Sequence, residues 1–345
     1  MSWDRDWTTL WSVIIYLGIC VVVGIWAMRR TRSSHDFFMA GRNLGVFLTA
    51  FAVFSSILSG FGFVGGPGLV YKLGMSSVWM VVCASLGFLI SFSLVGKRIR
   101  LLAELRNCIS LPDVVVARYK SSSVGISVSV AIVLGVLGYL ASQIKAMAVV
   151  LQDILDKEVF WPGVSLEWCV LISGAVLVFY TVSGGIIASV YTDLIQGAVM
   201  IIAALLVFGT VVMSFEGGMG EVSTTLMEDD PESIGPWGTM GMIGCLSWFF
   251  VFGLGGSGQP HVITKTMMNK NVRDIRHILP LSIFGYLVSA LLWIGIGLAM
   301  RALVISGAHD PLVSADAAAP VFLQEYAHPL LAGIVFAGLF AAIMS

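Results

Sequence analysis

The stretch FGLGGSGQPH (residues 252–261) places four glycines and a proline directly after the apolar run MIGCLSWFFV. Glycine and proline both interrupt the hydrogen-bond ladder of a helix. In lipid, the N–H and C=O groups freed by such a break are costly unless protein or a water-filled cavity satisfies them. If this part of the chain crosses a membrane, the stretch therefore predicts a broken helix beside a cavity.

The composition of the chain indicates a polytopic membrane protein. Of its 345 residues, 58% are hydrophobic and only 11% are charged, whereas a soluble domain carries about 25% charged residues. The net charge of −1 offers no basic face for nucleic acid. The five cysteines show neither a metal-ligand pattern nor a disulfide framework, and we expect no cofactor. The first span lacks a basic leader and a cleavage site, so we interpret it as a retained helix.

Runs of roughly 20 apolar residues mark candidate membrane spans, and the sequence contains nine of them. The predicted spans are 8–28, 46–71, 75–96, 123–151, 166–183, 186–214, 237–260, 278–304 and 328–345. Fourteen of the 19 basic residues fall on one side of this arrangement. Basic loops favour the cytoplasm, which predicts an external N-terminus in a plasma (bacterial inner) membrane. These basic residues are Arg29, Arg30, Arg32, Arg42, Lys97, Arg98, Arg100, Arg106, Arg118, Lys120, Lys265, Lys270, Arg273 and Arg276.

A second predicted span is interrupted by small residues in the same way as residues 252–261. Residues 49–71 read TAFAVFSSILSGFGFVGGPGLVY, five spans before residues 237–260. Two broken helices at corresponding positions point to a secondary transporter built from inverted repeats. The alternative is that both glycine-rich faces serve only to pack helices together.

Four motifs carry a resemblance to a known family. Residues 184–200 (GGIIASVYTDLIQGAVM) resemble the signature of the sodium:solute symporter family, and residues 40–45 (AGRNLG) resemble the segment that leads into its first core helix. Residues 258–261 (GQPH) resemble the broken seventh span of the proline-transporter-like branch. Residues 336–345 (FAGLFAAIMS) resemble the span that carries half of a sodium site.

The resemblance implies an all-α, LeuT-type bundle of two inverted five-helix repeats in a single transmembrane domain, 1–345. Residues 8–28 would form a leading helix, 46–214 the first repeat, and 237–345 a partial second repeat. We expect about nine transmembrane helices and a truncated chain, because the last apolar run ends at Ser345 without a cap or a flanking charge.

The resemblance also implies a sodium site between the first broken helix and the last span. Its ligands would be the backbone carbonyls of Ser55, Leu58 and Ala342 and the hydroxyl of Ser345. Oxygen ligands suit a hard cation. The proline branch carries an aspartate at the position of Ile57, so this site would rely on neutral oxygens and a more distant carboxylate.

Two charged residues fall deep within predicted spans, where charge is costly unless it is paired or hydrated. Asp193 is the candidate for the more distant carboxylate of the sodium site. By resemblance it would face the cytoplasmic release path of the ion, although it could also be an interfacial carboxylate near a helix start. Lys145 could hold a solute carboxylate, pair within the bundle, or snorkel outward. Gln143 points about 200° away from Lys145 around a helix, so the two cannot share a face.

The solute pocket should lie between the two breaks, with Lys145 or a helix N-terminus as counter-charge for a small organic acid or amino-acid-like anion. Gln259 offers a donor and an acceptor, and Pro260 should begin the following half-helix. The predicted pocket residues are Ser59, Gly60, Phe61, Gly62, Lys145, Phe252, Gly255, Gly256, Ser257 and Gln259.

These features predict a sodium-coupled secondary symporter that imports a small organic solute by alternating access. Sodium would be the coupling ion, and no enzymatic chemistry is expected because no nucleophile–base pair or phosphate loop is present. Two alternatives remain at this point. One is a transporter-like sensory module of a signalling protein, and the other is a proton-coupled symporter with Asp193 as the carrier.

Overall fold

The computed structural model describes residues 2–30 and 33–344, and this part of the chain is predominantly helical. A single isolated backbone bridge joins Leu44 and Asn269. The α-helices are α1 (Ser2–Arg30), α2 (Ser34–Met39), α3 (Val46–Gly60), α4 (Gly66–Leu73), α5 (Val78–Ile90), α6 (Lys97–Leu105), α7 (Leu111–Tyr119), α8 (Ser122–Leu155), α9 (Leu166–Met213), α10 (Gly218–Asp229), α11 (Gly241–Trp248), α12 (Pro260–Met267), α13 (Ile275–Ile305), α14 (Ala318–Glu325) and α15 (Pro329–Met344).

Six helical stretches among the described residues are long and apolar enough to cross a membrane. Each predicted span overlaps one of these stretches or one of two shorter apolar helices, Leu166–Phe179 and Pro329–Phe340. The integral membrane character is therefore confirmed, whereas the count of nine spans stays a prediction. The six stretches are Arg5–Trp26, Val46–Leu105, Ser122–Leu155, Gly185–Met213, Gly238–Gly255 and Val272–Ile305.

The long helix α9 bends at Gly185, where the backbone has φ 58° and ψ −166°. A Cβ at this position would lie 2.7 Å from Cδ2 of Phe37. Both the positive φ and the close contact require glycine. The predicted spans 166–183 and 186–214 are thus two arms of one bent helix, with no loop between them.

The first broken helix lies in α3. Ser59 has φ 40° and ψ −170°, a conformation that strains any residue with a Cβ. A π-helical turn, Phe61–Gly65, follows and leads into α4, which carries a proline in its first turn. The predicted interruption of residues 46–71 is confirmed.

The second broken helix contains the stretch FGLGGSGQPH, residues 252–261. After α11 a π-helical turn covers Phe249–Gly255, and regular helix stops at residues 258–259. Gln259 is extended, with φ −62° and ψ 122°, and Pro260 begins α12. Because proline has no N–H to leave unpaired at a first helical position, the chain restarts there as predicted.

The broken helix α3 lies at the centre of the bundle, in contact with α9, α12, α13 and α15. Helix α1 packs on the outside against α9 and α15. Close approach depends on small residues: a Cβ at Gly297 of α13 would lie 2.6 Å from the Pro67 carbonyl oxygen of α4. The unwound backbone of α3 is therefore enclosed by protein.

Backbone hydrogen bonds join Leu44, two residues before α3, to the residues at the end of α12. The Leu44 N–H donates to the Met268 carbonyl at 3.2 Å, and the Lys270 N–H donates to the Leu44 carbonyl at 3.0 Å. Buried Arg100 donates from Nε to the Asn269 carbonyl at 3.0 Å. The two broken helices thus meet at one end of the bundle.

Candidate functional site

A cavity of about 270 Å³ lies between the two broken helices. Helices α3, α5, α8, α12 and α13 and the turn before α12 contribute to its wall. The lining residues are Ile57, Ser59, Phe61, Met80, Ala84, Gly87, Phe88, Ser91, Tyr139, Ser142, Gln143, Val251, Phe252, Gly256, Gln259, Val262 and Tyr286.

Half of the predicted pocket residues line this cavity. Those that do are Ser59, Phe61, Phe252, Gly256 and Gln259, and those that do not are Gly60, Gly62, Lys145, Gly255 and Ser257. The Ser257 hydroxyl instead donates to the Leu254 carbonyl at 2.7 Å, within its own turn. Gly255 lines an outer groove between α8 and the start of α12.

Helix α8 satisfies the backbone groups that the break in α3 releases. The Gly60 N–H donates to Oε1 of Gln143 at 2.7 Å, and the Tyr139 hydroxyl donates to the Ser56 carbonyl at 3.3 Å. A buried N–H without a partner would cost about 1–3 kcal/mol. Gln143 and Tyr139 therefore stabilise the unwound conformation, a role that no local sequence signal indicates because each lies 83 positions from its partner.

The structure separates Gln143 from Lys145 as the helical geometry predicts. Gln143 is 3% exposed and lines the cavity, whereas Lys145 is exposed. No charged side chain lines the cavity within the described part of the chain. The expected lysine counter-charge is thus not brought to the cavity, because the register of α8 places the neighbouring glutamine there.

Asp193 and Lys265 form an ion pair in the interior. Lys265 Nζ lies 2.7 Å from Oδ2 of Asp193, and the side chains are 3% and 0% exposed, respectively. Nζ also donates to the Ala52 carbonyl at 2.9 Å and to the Ser56 hydroxyl. Asp193 is therefore buried and paired within the protein, and the placement of Lys265 in a basic loop is wrong. Counting charges along the sequence could not show that α12 carries Lys265 inward to a partner.

The predicted ion ligands of α3 lie directly before its break. Ser55 and Leu58 are buried, and α15 packs against α3. The Leu58 carbonyl accepts from the Phe61 N–H, and a carbonyl has a second lone pair. The backbone of Ala342 belongs to α15, and Ser345 lies outside the described residues. The packing of α15 against α3 therefore brings together the two helices that carry the predicted ion ligands.

Comparison with known proteins agrees with this architecture. Sodium/proline symporters of Staphylococcus aureus strains JH9 and NCTC 8325 / PS 47 are each 28% identical to the chain over 344 residues. The match covers 99% of this chain and 65% of those relatives. A substrate-bound, outward-open structure of a Na+-coupled sialic acid symporter superposes with a TM-score of 0.82 at 18% identity. It covers 98% of this chain and 69% of that one, and it shows a shared fold.

A protein-family model matches most of the chain. The model of the sodium:solute symporter family, a family of transporters, matches residues 37–345. That range contains both broken helices, the cavity and the buried ion pair. The chain therefore belongs to the sodium:solute symporter family.

Proposed function

We propose that the protein is a sodium-coupled secondary symporter that imports a small organic solute by alternating access. The observation that carries this proposal is the cavity between two broken helices, one of which contains the predicted ion-binding carbonyls. Unwound backbone at membrane depth is tolerated where it lines a cavity, and transporters use it to hold solute and ion.

We propose an amino-acid-like or carboxylate solute. The cavity offers neutral polar groups from Ser59, Ser142, Gln143 and Gln259, and it is small. A zwitterion brings its own counter-charge into such an uncharged site, and a simple carboxylate would take its counter-charge from the co-transported sodium. The relatives named above transport proline or bind sialic acid, both of which carry a carboxylate.

Sodium would bind at the carbonyls of Ser55, Leu58 and Ala342 and the hydroxyl of Ser345, with Asp193 on its release path. One sodium ion that moves inward through 100 mV releases about 2.3 kcal/mol. A tenfold solute gradient costs about 1.4 kcal/mol, so one ion suffices to drive it.

The paired broken helices also support the proposed inverted repeats, 46–214 and 237–345. An external N-terminus in a plasma membrane completes the proposed arrangement.

The test is solute uptake by the protein in proteoliposomes, with sodium or potassium outside, across a panel of carboxylates, amino acids and sugars. We expect sodium to raise the uptake of one carboxylate-bearing class and a Ser345→Ala substitution to abolish that dependence. Uptake that follows a pH gradient without sodium would favour the proton-coupled alternative. Uptake of neutral sugars alone would overturn the proposed solute class. Neither the sensory nor the proton-coupled alternative has a specific structural observation in its favour.

A further inference from the structure

The Lys265 ammonium occupies a complete oxygen cradle inside the bundle. Its three N–H bonds meet the Ala52 carbonyl, the Ser56 hydroxyl and Oδ2 of Asp193. A lysine ammonium has three donors and no acceptor, so every donor is used. A carbonyl, a hydroxyl and a carboxylate are also the oxygen ligands that a hard metal cation prefers.

The cradle adjoins the proposed ion site along α3. Ala52 lies three residues before Ser55, and Ser56 directly follows it. One helical turn rises about 5.4 Å, so the ammonium lies within about one turn of the carbonyls proposed to bind sodium. In the proposed orientation, Lys265 is on the cytoplasmic side of the break, where a released ion would leave.

We propose that Lys265 is a tethered cation that competes with sodium for Asp193, so that sodium reaches this carboxylate only when Lys265 leaves it. The inference rests on the sodium coupling proposed above and assigns a further residue to the ion path. The sequence motifs that carry the family resemblance did not assign Lys265 any role.

The Lys265 ammonium and a sodium ion would compete for the Asp193 carboxylate because of their charges. Two like charges within about one helical turn repel each other strongly at the low effective dielectric of a protein interior, and both are attracted by the same buried carboxylate. The displaced lysine would also release α12 from α3, since its Nζ contacts Ala52 and Ser56 of that helix. Among the described residues, the Leu44 backbone bonds to the end of α12 and the apolar packing of Ala52 with Met267 and Met268 would remain at that end. Arrival of sodium at Asp193 would thus loosen the cytoplasmic contact between the two broken helices.

The first test measures the reactivity of Lys265 in the unmodified protein. The purified protein is acetylated briefly in sodium chloride or in potassium chloride of equal ionic strength, and each lysine is quantified by mass spectrometry. We expect sodium to increase the acetylation of Lys265 several-fold. Lys270, which is exposed five residues later, serves as the matched control and should react equally in both salts. Equal protection of Lys265 in the two salts would overturn the proposal.

The second test uses substitutions and the sodium dependence of thermal unfolding. Lys265→Met removes the ammonium from the buried Asp193 carboxylate, and the loss of one member of a buried ion pair destabilises a protein strongly. We expect this variant to unfold early in potassium, to recover in sodium, and to respond to sodium at roughly tenfold lower concentration than the parent. Lys265→Arg should behave like the parent, and Lys265→Met with Asp193→Asn should fold in both salts and lose the tenfold gain in sodium sensitivity.

The outcomes separate this inference from the proposed function. If the parent is stabilised by sodium but Lys265→Met stays unstable in both salts, the ion pair of Lys265 with Asp193 only stabilises the fold. The inference then fails, while the proposed sodium-coupled symport is unaffected. If potassium restores Lys265→Met as well as sodium does, the inference also fails. If neither protein distinguishes sodium from potassium, the sodium coupling itself is refuted.

Discussion

Replacement of Gln143 by leucine should expose how much the break in α3 depends on α8. The Gly60 N–H donates to Oε1 of Gln143 at 2.7 Å, and Gln143 is 3% exposed. Leucine has a similar volume but no acceptor, so the Gly60 N–H is left in an apolar wall. The loss of one partner from a buried hydrogen bond costs about 1–3 kcal/mol, which corresponds to roughly a fivefold to 150-fold change in an equilibrium constant.

We expect this cost to appear in two measurements on the protein in detergent or proteoliposomes. The free energy of unfolding should fall by about 1–3 kcal/mol. The sodium concentration needed for half-maximal stabilisation should rise, because the proposed ion-binding carbonyls of Ser55 and Leu58 directly precede the break. Lys145→Leu is the matched control: it lies two residues away on the same helix but is exposed. That variant should keep both the stability and the sodium response of the parent.

The reverse pattern would refute this reasoning. If Gln143→Leu behaved like the parent while Lys145→Leu lost its sodium response or its solute uptake, the break would not depend on α8. The intramembrane lysine expected from the sequence would then be the functional residue of this helix.

Two further predictions concern other parts of the structure. A Cβ at Gly87 would lie 2.8 Å from the carbonyl oxygens of both Phe252 and Gly253, so Gly87→Ala should displace the turn that lines the cavity, and uptake should fall severalfold. Gly209→Ala, where nothing lies within 4 Å, should leave uptake unchanged, and equal uptake by both variants would contradict the prediction. Burial raises the pKa of the Cys108 thiol, so its thiolate fraction is small at neutral pH. Its alkylation, followed by mass spectrometry, should be slower than that of a free thiol and should accelerate above the ordinary cysteine pKa; a plateau below that pKa would contradict the burial argument.

The broken helices could be predicted because local chemistry decides them. Pro260 cannot continue a hydrogen-bond ladder, and the other break, at Ser59, is followed directly by the glycine-rich run Gly60–Gly66. Such effects depend on residues adjacent in the chain, so the sequence alone reveals them. The apolar runs are equally local, which is why each predicted span coincides with apolar helix in the structure.

The partners of those breaks could not be predicted in the same way. The hydrogen bond between Gly60 and Gln143 joins residues 83 positions apart, and the ion pair of Lys265 with Asp193 spans 72 positions. Both depend on how helices pack and rotate against one another. The 200° separation of Gln143 and Lys145 was evident from the sequence, but only packing decides which of them faces the cavity.

Position 57 carries isoleucine and therefore offers no carboxylate to an ion bound at α3. Ile57 and Ser59 line the cavity, while Ser55 and Leu58 carry the proposed ion-binding carbonyls, so solute and ion sites lie within four residues of α3. Four residues rise about 6 Å, and at an effective dielectric of about 20 two opposite unit charges at that distance attract by about 3 kcal/mol. With Asp193 held by Lys265 and no carboxylate at position 57, a solute carboxylate would be the nearest free counter-charge for sodium. Each ligand would then raise the affinity for the other by about a hundredfold, so that coupling arises from the charge of the solute itself.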